Sequence, residues 1–328
     1  MAIEWDLLKK LCETPGIASR ENQVRSVALD ALRPLVQEIR IDQLGNAICV
    51  KSGKSPIKVM LAGHLDEIGF MVRYIDDAGF LFLQPLGGFD PRVLVAQRVL
   101  VHTSSGTLLR GVLMPGIKPA HLMSAEDAQR LRIEEFFVDL GLSKERVQEQ
   151  VDIGDMVTLD RSFETIGDGF VSKAMDDRIG VFVMIEALRS LQSHEATIIA
   201  VATTQEEVGL RGARVSAFGV EPALGVALDV TLALDIPGQD KKENVSRLGA
   251  GAAIKIMDSS LISDPRLVER FRSIARREQI PYQIEILPRG GTDAGGIQLS
   301  RAGVPSITLS IPTRYVHTVN EESRQRRS

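Results

Sequence analysis

Residues 57–70 read "IKVMLAGHLDEIGF", an apolar run that breaks into His64, Asp66 and Glu67. A continuous apolar run of this length reads as a strand buried on both faces, as in a parallel sheet. Charged groups are costly to bury unpaired. The three polar residues therefore either reach solvent at the strand's end or face a cation there.

The surrounding sequence extends the sheet. Upstream, "EWDLLKKLCETPG" reads as a short helix stopped by Pro15 and Gly16, and Ser19 is the expected N-cap of a second helix. "EIRIDQLGNAICVK" reads as a hairpin around Gly45 and Asn46. Downstream, the apolar helix "DDRIGVFVMIEALRSLQS" is followed by the strands "ATIIAVAT", "ALGVALDV", "AAIKIMD", "YQIEIL" and "SITLSI", with a helix capped at Asp264-Pro265. Such alternation predicts an α/β fold, a sheet flanked by helices. Residues 70–163 differ in texture. Short strands separated by Gly, Asp and Ser turns, with one helix-like stretch "SAEDAQRLRIEEFFVDLG", predict an inserted small barrel or sandwich. The expected division is a discontinuous α/β domain, 1–69 and 164–328, interrupted by a β-rich domain, 70–163.

Bulk properties narrow the function. The 328 residues are 44% apolar and 25% charged, with no uninterrupted apolar stretch of membrane-spanning length. A net charge of −4 from well-mixed acids and bases argues against a nucleic-acid partner; the terminal "RQRRS" is the single basic cluster. The start "MAIEWDLLKK" lacks a secretory signal, and two cysteines, Cys12 and Cys49, make no disulfide framework. The cytoplasm is the expected compartment.

In open α/β sheets ligands bind beyond the carboxyl ends of the strands. There the sequence gathers His64 and Asp66, Glu206 and Glu207 after "TIIAVATTQ", Asp229 closing "GVAL", and His317 after "SITLSIPTRYV"; Asp176 begins the apolar helix. Each residue alone has an ordinary reading: a hydrogen-bonded loop histidine, a helix N-cap, a solvated acid pair, a turn former. Together they would make a strongly anionic pocket whose charges raise one another's pKa unless a cation neutralises them. Two divalent ions would do so, and histidine with carboxylate ligation suits zinc, cobalt or manganese better than magnesium.

Six motifs, "AGHLDEIGFMV", "KAMDDRIG", "TTQEEVGLRGA", "ALDV", "GGTDAGG" and "RYVHT", occur in the order and at about the spacing of the M42 metallo-aminopeptidases. The chain resembles this family, which includes tetrahedral and glutamyl aminopeptidases and CelM-labelled endoglucanases, from "TPGIASRENQVR" to "RYVHT". The resemblance implies two divalent ions per subunit. His64, Asp176 and Asp229 would hold one; Asp176 would bridge to a second, held also by Glu207 and His317. Glu206 would be the general base and acid, and Asp66 would orient the His64 ring. Gly290, Gly291, Thr292 and Asp293 match a family loop beside the active site and are expected near substrate. The resemblance further implies peptide substrates, a PDZ- or PA-like inserted domain, and dimers assembled into a tetrahedral dodecamer. "GIKPAHLM" around His121 resembles a family segment of the insertion, while His102 and His194 are read as structural.

One departure stands out. Family members continue past the last histidine into an amphipathic helix, whereas here eleven residues, "TVNEESRQRRS", polar but for Val319 and without apolar periodicity, follow His317. Lost cover over the sheet at about 25 cal/mol per Å² leads to an expectation of lower stability or altered assembly relative to longer relatives. Three alternatives compete. An M20-type dimetal peptidase or deacylase shares the site logic, but its insertion follows the central glutamate pair and is α+β. An endoglucanase would use paired carboxylates without metal, yet the chain has one Trp and three Tyr for sugar platforms. An inactive assembly protein would not need the full ligand set with Glu206.

Overall fold

A computed structural model describes residues 3–117 and 131–324. The segment around His121 and the start of the helix-like stretch at 124 lie outside the described residues, as do the last four residues. The chain opens with helices α1 (Trp5–Glu13) and α2 (Asn22–Leu32) and hairpin strands β1 (Glu38–Ile41) and β2 (Ala47–Lys51), then enters β3 (Ser55–His64). Next come β4 (Gly69–Ile75), β5 (Leu81–Leu86), β6 (Gln97–His102), β7 (Leu108–Pro115), β8 (Phe136–Asp139), the short α3 (Lys144–Gln148) and β9 (Met156–Leu159). Then follow β10 (Glu164–Ile166), β11 (Gly169–Ser172), α4 (Met175–Ser190), β12 (Ala196–Thr203), α5 (Arg211–Val220) and β13 (Leu224–Leu232). The chain finishes with β14 (Ala252–Met257), α6 (Pro265–Arg277), β15 (Tyr282–Ile286), α7 (Asp293–Gln298), β16 (Ser306–Arg314) and β17 (Glu321–Arg324).

Its contacts divide the chain into two units, one of Met1–Glu67, Ser162–Val316 and Asn320–Ser328, the other of Ile68–Arg161 and His317–Val319. The first unit is a mixed sheet of eleven strands running β1-β2-β12-β3-β13-β16-β17-β11-β10, with β14 joined to β16 and β15 to β14. Its centre, β12, β3, β13 and β16, is parallel. On one face α1, α2 and α4 bury Leu8, Leu11, Val24, Phe182, Ile185 and Leu188 against Val226 and Leu228. On the other, Ala213 and Ala217 of α5 and Ile297 of α7 cover Met60 and Val201. Burying one such large apolar side chain contributes about 1.5–3 kcal/mol, so this layering is what fixes the strand ends. Helix α4 and strand β13 approach closely at Gly180, where an added Cβ would stand 2.5 Å from the Leu228 carbonyl oxygen.

The second unit is a closed antiparallel barrel in the order β4-β5-β8-β7-β6-β9. Phe70, Val72, Leu81, Val99, Val101, Leu113, Val138 and Val157 fill it. Alternation along β7, where Gly111, Leu113 and Pro115 are buried between exposed neighbours, is the period-2 pattern of a strand with one face inside.

Three local expectations change. The helix-like stretch contains "FFVD", which is strand β8, because Phe136 and Val138 point into the barrel. Ser19 does not cap α2: the helix starts at Asn22 behind Glu21, whose carboxylate accepts from the Ser19 amide at 2.9 Å. The polar stretch after His317 contains β17, paired with both β16 and β11. No helix among the described residues is long and apolar enough to cross a membrane.

Candidate metal centre

Register builds the site. Thr203 of β12 lies level with His64 of β3, and Ala227 of β13 with Ala62, so Asp229 comes level with His64 and on the same face of the sheet. The first residues of α4 add Asp176 and Asp177, both off helical backbone angles and joined by a cis peptide bond. His64, Asp176 and Asp229 are all buried, and the ligand atoms they offer lie within 4.8 Å of one another. A second group, Asp176, Glu207 and His317, meets the same limit and shares Asp176 with the first.

The hydrogen bonds set the charge state. His64 Nδ1 is 2.9 Å from the Asp66 carbonyl oxygen, which only accepts, so Nδ1 carries the proton. Nε2 then turns its lone pair toward Asp176 Oδ1, 3.1 Å away, and Glu206 Oε2, 3.9 Å away. Acceptor against acceptor at that range needs a proton or a cation between them. Burial pulls the imidazole down, but Asp176, Asp66 and Glu206 outweigh it and hold it well above the ordinary histidine value. Burial pushes Asp177, Glu206 and Asp229 well above the ordinary carboxylate range, and the acids around them add to it. Asp293 is pushed up to about 6, again chiefly by burial. One imidazole nitrogen with converging carboxylate oxygens is a donor set that fits a divalent ion such as zinc, cobalt or manganese.

Asp66 meets the His64 ring with both its groups: its backbone carbonyl accepts from Nδ1 at 2.9 Å, and its carboxylate stands 3.6 Å from the same nitrogen. That carboxylate also accepts from the backbone amides of Glu206, at 2.9 Å, and Glu207, at 3.1 Å. Glu206 belongs to neither ligand group. In the glycine-rich loop, Gly291 lies against Ser260, and Thr292 is turned to Asp258 and Thr308. Asp293 accepts from Thr203, and its other oxygen, Oδ1, is buried without a hydrogen bond. His102 and His194 bond Thr158 and the Ala196 carbonyl.

Several residues without a role at the site on sequence grounds, Glu67 among them, stand around it. Asp177 accepts from the His64 amide at 3.1 Å and Glu321 from the Asp176 amide at 2.9 Å. Buried Lys173, Arg178 and Glu67 surround the same segments. The doubled aspartate and its flanking cations in "KAMDDR" were a signal for most of these; Glu321 had none.

The chain matches the M42 glutamyl aminopeptidase family over residues 45–325. It is 39% identical to a lysyl aminopeptidase of Pyrococcus furiosus over 323 residues, 96% of this chain and 91% of that one. Among solved structures it superposes on the aminopeptidase APDkam598 of the archaeon Desulfurococcus kamchatkensis with a TM-score of 0.93 and 41% identity, covering 98% of this chain and 91% of that one. On the TET1 peptidase of Pyrococcus horikoshii, described as assembling into a tetrahedron or a large octahedral shell, the TM-score is 0.85 at 32% identity, covering 98% and 94%. The chain belongs to the M42 family and is an aminopeptidase of the hydrolase class.

Proposed function

We propose that the chain removes N-terminal residues from peptides with two divalent ions, one held by His64, Asp176 and Asp229 and the other by Asp176, Glu207 and His317. The observation that carries this reading is a pair of ligand groups sharing Asp176, with Glu206 beside them and in neither. When bound, such ions polarise a carbonyl and acidify a water. Glu206 would take a proton from the attacking water and pass it to the leaving amine, a role open to a carboxylate that belongs to neither ligand group. Asp66 fixes the backbone of Glu206 and Glu207, so these consecutive side chains divide base and ligand roles. Asp66 also holds the His64 proton on Nδ1 through its carbonyl, keeping Nε2 for the ion. The loop of Gly291, Thr292 and Asp293 is assigned to the substrate side.

Zinc or cobalt is the expected occupant, with manganese also compatible with the donors. We assign the barrel unit to assembly, and a homo-oligomeric shell such as the tetrahedral dodecamer is the expected particle. Buried thiols at Cys12 and Cys49 suit a reducing cytoplasm. The test is hydrolysis of short free and N-acetylated peptides by chelator-treated protein resupplied with zinc, cobalt or manganese. Metal-restored release of single residues from free N-termini alone supports the reading; cleavage indifferent to metal or to acetylation overturns it.

A further inference from the structure

Glu67 lies one residue past Asp66, is 2% exposed, and belongs to neither ligand group. Lys173 Nζ donates to its Oε2 at 2.6 Å, the Gly16 amide donates to Oε1 at 3.1 Å, and Arg178 Nη2 stands 3.7 Å from Oε1. Arg178, fully buried, also donates to the carbonyl oxygens of Leu11, Thr14 and Gly16. The Glu67 amide donates back to the Gly16 carbonyl oxygen at 2.9 Å.

The placement of these ions in the chain gives them their meaning. Lys173 and Arg178 bracket Asp176, and Glu67 closes the segment that begins with His64. Ion pairs therefore cross-link the two segments carrying the ligands whose atoms face each other at 3.1 Å. Both segments are also tied to residues 11–17. Burying three charges is costly, and an apolar cluster of equal volume commonly stabilises a fold as well or better. What such a cluster lacks is direction, because charge-assisted hydrogen bonds fix an angle and a length.

We propose that Glu67, Lys173 and Arg178 are positioning residues that set the spacing of His64 and Asp176, so that the ion site is pre-formed before metal arrives. The proposal rests on the metal reading above and adds to it a group of residues that touch neither ion nor substrate.

The test measures zinc affinity of the full chain by competition with a chelator, without substrate, alongside thermal melting of the metal-free protein. Lys173→Met should weaken zinc binding about 10- to 100-fold, the range for groups that hold ligands in place. Lys173→Arg should recover most of that loss. Lys173→Met leaves Glu67 facing Arg178 alone, 3.7 Å away, so the buried charges still balance and the metal-free melting temperature should fall far less than zinc affinity. Parent-like zinc affinity in Lys173→Met, or a loss of affinity that Lys173→Arg does not recover although its melting temperature matches the parent's, overturns the positioning role and leaves the metal site standing. A parent chain that binds neither zinc, cobalt nor manganese overturns both.

Discussion

Replacing Asp66 by asparagine isolates the clamp on the glutamate pair. The two carboxylate oxygens accept from the amides of Glu206 and Glu207 at 2.9 and 3.1 Å, and the residue is fully buried. Asparagine keeps one acceptor and turns an NH2 group toward the other amide, donor against donor. The lost charge-assisted bond is worth roughly 1.5–3 kcal/mol, and a buried amide left without a partner costs about 1–3 kcal/mol more. A total of roughly 2.5–6 kcal/mol is large against the roughly 5–15 kcal/mol that separates most folded domains from unfolding. The variant should fold, unfold at a clearly lower denaturant midpoint in its metal-free form, and lose turnover because the Glu206 backbone is released. Denaturant unfolding followed by fluorescence, with kinetics on a free-amino peptide, reads both effects. An unchanged midpoint with unchanged kcat would refute the clamp.

Two other perturbations have worked signs. Glu21 is buried, and burial followed by the Asp66 charge pushes its carboxyl from 4.5 up to about 7. The folded state therefore holds a proton that the unfolded state releases first, so this stabilisation is full below about pH 4.5 and is lost as pH rises through 7. Glu21→Gln, which keeps an acceptor for the Ser19 and Gln205 amides, should match the parent in acid and exceed it by up to about 3 kcal/mol at pH 8; parallel pH–stability curves for metal-free proteins would count against it. Lys255 is fully buried, 2.6 Å from Glu285 and 3.6 Å from Asp258. Lys255→Met strands both acids and should cost about 3–5 kcal/mol in denaturant unfolding, and a loss below 1 kcal/mol would mean that the pair contributes little.

Much of the fold was legible because its central strands are continuous apolar runs that end abruptly in polar residues. "IKVMLA", "ATIIAVAT" and "GVAL" run parallel side by side, and the acids and histidine that follow them converge because register demands it. Strand β8 was hidden by the acids at 134 and 135, which give "RLRIEEFFVDLG" a helical look, although Phe136 and Val138 alternate into the barrel. Strand β17 escaped because apolar periodicity is blind to buried polar residues. Glu321 and Ser323 are buried, one accepting the Asp176 amide and the other hydrogen-bonded to Thr313. The polar end that looked like missing cover therefore supplies a sheet strand and a partner for a ligand's backbone. For Asp66, sequence pattern pointed to the His64 ring, but nothing in "GHLDE" says that the backbone carbonyl comes nearer to Nδ1, at 2.9 Å, than the carboxylate, at 3.6 Å.

The central claim is that Glu206 moves the proton while other residues hold the ions. Its most direct test is Glu206→Gln, assayed for kcat at saturating metal and, on the same sample, for bound zinc. Turnover should fall by about 10²- to 10⁴-fold, the usual share of a general base, with zinc content equal to that of the parent. Turnover retained at the parent's rate, or zinc lost together with activity, would contradict that claim.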